Sequence, residues 1–137
     1  MADLSVTPAS VLPYAGAVIQ TGRAGETLLA GQALYLKAAD GKLWKADDTA
    51  AAKAAAVGVA LNGGAAGQPI SYAQSGGVNP GAVVAIGTIY GVTDTAGGIG
   101  AVSERATPDF VTILGVATTV SRIDLAINAS GVAIPAA

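Results

Sequence analysis

Residues 27–45 read TLLAGQALYLKAADGKLWK, and this stretch decides the fold class. Thr27–Leu36 and Lys42–Lys45 are apolar-rich runs separated by Ala38-Ala39-Asp40-Gly41. Asp-Gly between two such runs marks a hairpin, because glycine accepts the positive φ of a tight turn. Tyr35 and Trp44 are then expected on facing strands. Working outward, Ala55–Leu61 (AAVGVAL) ends at Asn62-Gly63-Gly64, a second turn signature, and Pro69–Gln74 (PISYAQ) follows. Further strands are expected at Ala82–Ile86, Thr88–Thr93, Ile99–Val102, Phe110–Thr118 and Arg122–Asn128, each bounded by turn-forming residues. The one helical candidate is Asp47–Ala56 (DDTAAAKAAA), where Asp47 or Asp48 would cap an Ala-rich run. So short a helix is marginal, and one or two turns are expected.

The strands repeat. Gly31-Gln32-Ala33-Leu34-Tyr35-Leu36 resembles Gly87-Thr88-Ile89-Tyr90-Gly91-Val92, and Val57-Gly58-Val59-Ala60 resembles Leu114-Gly115-Val116-Ala117. Pseudo-repeats over about 24–61 and 78–118 imply two similar β units. The expected fold is all-β: a small barrel or sandwich of those two units with one short helical turn, closure limiting exposed edges. Residues 1–16 read as an extended N-terminal arm preceding a single β domain over 17–137. Pro8 and Pro13 each remove a donor and favour extended geometry before them. Val6, Val11, Leu12 and Tyr14 make this arm too apolar for a solvated tail. It either packs on its own domain or lies on a neighbouring subunit, and Val6, Val11, Leu12, Pro13 and Tyr14 are the candidate partner-binding residues.

Composition narrows function. The 137 residues carry 7 Lys+Arg and 9 Asp+Glu, no His and no Cys. Charged residues, at 12%, are about half the usual share, so a basic nucleic-acid binder is not expected. The hydrophobic 52% includes 31 Ala, so large core side chains are few. Lacking His and Cys, the chain has no Cys nucleophile, no His base, no ordinary zinc, haem or iron–sulfur site and no disulfide framework. No apolar run of membrane-spanning length occurs, and Met1–Pro8 has neither a basic nor an apolar signal region, so no membrane partner and synthesis in the cytoplasm are expected.

Gly63-Gly64-Ala65-Ala66-Gly67 and Gly97-Gly98-Ile99-Gly100 match no dinucleotide or phosphate-loop spacing and read as turns. The acidic residues (Asp3, Glu26, Asp40, Asp47, Asp48, Asp94, Glu104, Asp109, Asp124) fall mostly in turns, without calcium-loop spacing. No Ser-x-x-Lys occurs. No catalytic, cofactor-binding or metal site is expected, and the chain is read as a non-enzyme. Trp44 either fills a small core or stands at a rim as a partner anchor, since Trp dominates interface hot spots.

From Val57-Gly58-Val59-Ala60-Leu61 and Ala65-Ala66-Gly67-Gln68-Pro69-Ile70-Ser71-Tyr72, through Gly76-Gly77-Val78, Gly81-Ala82-Val83-Val84 and Tyr90, to Leu114-Gly115-Val116-Ala117, the sequence resembles the capsid cement, or head decoration, proteins of tailed bacteriophages. Gly31–Tyr35 and Gly41–Trp44 fit the first half of the same pattern, so the resemblance covers roughly residues 20–130. It implies a structural virion protein on the outer surface of an icosahedral shell, made in the host bacterial cytoplasm. Such a protein fastens neighbouring subunits of the major capsid protein against internal DNA pressure, commonly as an oligomer; a homotrimer is expected, a dimer being the alternative. The family supplies no catalytic residue or cofactor to carry over, and in some members the N-terminal segment orders on the shell. A phage fibre or adhesion module recognising host-surface saccharide is the alternative function.

Overall fold

The computed structural model describes residues 4–102 and 110–133. A single turn of 3₁₀ helix at Pro8–Ser10 leads into β1 (Val11–Pro13) and β2 (Val18–Arg23). The first unit follows: β3 (Ala33–Lys37), β4 (Lys42–Lys45), α1 (Ala51–Ala54), β5 (Ala56–Ala60) and β6 (Pro69–Pro80). The second contains β7 (Ile89–Val92), β8 (Ile99–Ala101), β9 (Phe110–Thr119) and β10 (Arg122–Ala133). The Asp-Gly hairpin forms as its sequence dictates: Gly41 has φ +67°, and the Asp40 carboxylate accepts the Lys42 amide at 2.9 Å. Tyr35 pairs with Trp44 across it.

The strands join one antiparallel sheet, eight of them in the order β4-β3-β5-β6-β10-β9-β7-β8 with β1 and β2 pairing β6 off that path, and the sheet curls into a half-barrel. The order reads alike from both ends, so the two similar units meet about a pseudo-two-fold between β6 and β10. Each unit has a bulge at the same place. Leu34 pairs with Gly58 and Tyr90 with Gly115, each pair followed by a register shift. The ladder thus makes Tyr90 the counterpart of Leu34, one residue from the Tyr35 that sequence similarity suggests.

Strand β6 is the hinge pin. Ala73 pairs with both Ile19 and Val59, Ser75 with Val18 and Ala126, and Val78 with Pro13 and Ile123. One edge of β6 therefore carries β1 and β2 in succession, while the other passes from β5 to β10. Strands that change partner this way turn corners in small sandwiches.

Each curl is latched by a flank of the β1–β2 ribbon. After β2, Ala24 bridges Leu43 and the Gly25 amide donates to the Leu43 carbonyl at 2.8 Å. Before β1, the Leu4 amide donates to the Ile99 carbonyl of β8 at 2.8 Å. The first curl encloses Leu28, Leu34, Leu43 and Ile70; a larger cluster joins Tyr35, Val59, Val78, Tyr90, Leu114 and Ile123. β3 and β5 form the wall between them. Leu34 and Ala60 face the small cluster, and Ala33, Tyr35 and Val59 the large one. A strand buried on both faces reads as a continuous apolar run, which is why the quoted stretch lacks polar alternation.

The structure departs from expectation in five places. Residues 27–32 precede β3 as a loop, with Leu28 bridging Gly64. Residues 82–86 form no strand. Their main chain touches the β9–β10 hairpin through the Val84 amide donating to the Val120 carbonyl at 2.9 Å, and the Gly87 amide beyond donates to Ala117 at 2.8 Å. β6 runs past Gln74 to Pro80, and β10 past Asn128 to Ala133. The helix is one turn capped by Ala50 without a side chain; Asp47 instead accepts the Thr49 amide and hydroxyl at 3.1 and 2.6 Å.

Candidate partner-binding surface

The expected arm lies along its own sheet, with residues 1–3 outside the described residues. Its main chain is tied at Thr7 (amide to the Gly81 carbonyl, 2.8 Å) and at Tyr14 (amide to Gly77, 2.9 Å), with the β1 ladder between. Pro13 is tolerated because it faces Val78 at a ladder position that needs no donor, the donating position being Tyr14. Val6 and Val11 sit in a notch whose floor is Gly31 and Gly81, both at positive φ (+89° and +76°). A Cβ on Gly81 would lie 2.5 Å from the Thr7 carbonyl and 2.9 Å from Val11, so only glycine leaves the arm room.

The five candidate residues of the arm separate by exposure. Val11 is 5% exposed and belongs to the buried interior; Val6 is half-buried. Leu12 is 61% exposed, and Pro13 is exposed beside it. Tyr14 is a clasp: its hydroxyl donates to the Ser121 carbonyl at 3.1 Å, and the Arg122 guanidinium lies 5.0 Å from its ring centre. Arg122 also holds Asp124 through a 2.8 Å ion pair, and that hydrogen bond keeps the Asp124 carboxyl below the usual carboxylate range.

Trp44 belongs to the β3–β4 hairpin and is fixed by its own neighbours. Its indole Nε1 donates to the Asp40 carboxylate at 3.1 Å, the Lys37 ammonium lies 4.4 Å from the ring centre, and the ring covers Gly25. A side chain clamped on three sides is part of the fold. Across the hairpin, Tyr35 is buried and its hydroxyl pKa is raised, by that burial first and by Asp47, Glu26 and Asp40 next.

The carboxylates serve the frame. Glu26 accepts the Lys45 amide at 3.0 Å, Asp40 and Asp47 close turns, and Asp48 is buried with its amide on the Thr93 carbonyl at 2.9 Å. Asp3, Glu104 and Asp109 lie outside the described residues. Among the described residues no group of three or more His, Cys, Asp or Glu could hold a metal ion, and no helix is long and apolar enough to cross a membrane.

One surface was not anticipated. The loop between β6 and β7 exposes Val83 (82%) and Ile86 (67%), and Ile89 of β7, Val116 of β9 and Val120 of the β9–β10 turn are exposed as well. Ile89 pairs with Val116, and the Val84–Val120 bond brings the loop against the hairpin, so these five gather at one corner. A groove of about 400 Å³, lined by Ser5, Thr7, Asn79, Val83, Val120 and Ser121, joins the corner to the arm. The available signal was the absence of charge: no Asp, Glu, Lys or Arg occurs from Gly76 to Thr93 or from Phe110 to Ser121. No protein-family model matches the chain, and no curated protein matches it.

Proposed function

We propose that this chain is a structural protein of a phage head, binding the outer surface of the icosahedral shell and cementing neighbouring subunits of the major capsid protein. The observation that carries the reading is the uncharged apolar corner of Val83, Ile86, Ile89, Val116 and Val120 beside the arm. Contiguous exposed apolar surface marks a protein-interaction site. The resemblance of residues 20–130 to head decoration proteins points to the partner. The slight negative charge, −2, disfavours adventitious binding to packaged DNA. Self-association as a homotrimer, or as a dimer, would let several corners engage at once, so that modest contacts sum to firm attachment.

The test uses tailed-phage heads assembled without the chain. Purified protein should co-sediment with them and raise the temperature at which they lose DNA. A Val83→Asp/Ile86→Asp double variant should keep its circular dichroism and melting curve yet bind at least about tenfold more weakly, as loss of interface hot spots does. Heads that neither bind the protein nor gain resistance would overturn the reading.

A further inference from the structure

We infer that residues 4–14 are an exchangeable closing strand, able to leave their own seat and close the second curl of a second copy of this chain. Four observations carry this, independently of the shell reading.

The seat is built by other parts of the chain: Gly31 and Gly81 shape the notch, Val78–Pro80 supply the strand edge, and Ile99 supplies the latch carbonyl. Any copy offers the same seat, and any copy's residues 4–14 fit it with the same bonds, so exchange gives up only the 3.2 Å bond from the Ala17 amide to the Tyr14 carbonyl across the turn. The arm is joined to the rest at Ala15-Gly16-Ala17, a turn whose Ala15 and Gly16 are exposed; Gly16 has φ +90° and nothing lies within 4 Å of where a Cβ would be. The chain can be redirected at Gly16, while Ala17 beyond it stays packed on Gly76 of β6. Finally, the eleven residues, eight of them outside the 3₁₀ turn, span roughly 32 Å, enough to reach a copy held side by side.

The balance is set by concentration. A dilute chain closes on itself, because exchange costs the entropy of association. Copies crowded side by side lose that penalty, since the neighbour's seat is then locally abundant. Identical elements trade places between protomers by this route.

The chain contains no cysteine, so single thiols report cleanly. Leu12 and Asn79 are ladder partners of β1 and β6, a spacing of about 5.5 Å between Cα atoms that a disulfide can bridge. Leu12→Cys and Asn79→Cys chains are unfolded together, refolded at high concentration and oxidised. Exchange predicts that bridges joining one variant to the other exceed same-variant bridges about tenfold, because seating raises the effective concentration of the matched thiols. Bridges in random proportions, or none, would overturn the inference. The doubly substituted chain, refolded dilute, should close its own bridge; failure there would overturn the seat geometry itself.

Discussion

At the scale of single residues, two glycines do equivalent work in the two units. Gly58 pairs with Leu34 and Gly115 with Tyr90, and a Cβ on either would run into the backbone of the next strand: the Ala73 carbonyl for Gly58, the Asp124 carbonyl for Gly115. At Gly115 the Leu125 Cα would stand only 3.0 Å away as well, and main chain cannot step aside as a side-chain tip can. Gly115→Ala should therefore lower stability by more than about 2 kcal/mol, in the range of overpacked cores. Gly41→Ala has open space around it and should cost only about 1 kcal/mol, the strain of its φ of +67°. Urea midpoints with unchanged slopes measure both. The reverse order would mean that β9 and β10 can separate without loss. The shared Gly-Val-Ala motif announced this equivalence in the sequence, but the carbonyl that enforces it belongs to a strand whose register no local pattern states.

At the scale of elements, turn chemistry made most of the sheet legible. Asp40-Gly41 and Asn62-Gly63 end strands where expected, and Asn62 adds its own fastening by accepting the Ser71 amide at 2.7 Å. What failed were the places where glycine or β-branched residues serve another purpose. The strand expected to end at Gln74 continues through Gly76 and Gly77, where Ala17 and Arg122 press so close that a side chain would not fit. Ala-Val-Val-Ala-Ile at 82–86 looks like a buried strand but lies as a loop with Val83 and Ile86 outward. The apolar arm lies on its own sheet through contacts distant in sequence, which no local pattern states. Exposure now divides adjacent arm residues. Val11→Ala should cost about 1–2 kcal/mol from lost burial and a small cavity, whereas Leu12→Asp should change stability by less than about 0.5 kcal/mol. Thermal and urea denaturation of both variants check this; equal effects would mean that β1 does not hold the seated position.

At the scale of the whole molecule, β3 and β5 are walls to both interior clusters, and β6 borders both units. Neither curl can open without exposing the other's lining. Leu34→Ala, which hollows only the smaller cluster, should lower stability by about 2–5 kcal/mol. The fluorescence of Trp44, the chain's one tryptophan, and far-ultraviolet circular dichroism should still report a single coincident transition. Two separated transitions would mean that the units melt one after the other. The arm lies lengthwise against β6, tied at Thr7, through β1 and at Tyr14. A pull on its leading end, directed along its own axis, therefore loads those hydrogen bonds side by side instead of peeling them singly. Whatever grips that end grips a tether that yields only when its fastenings let go together.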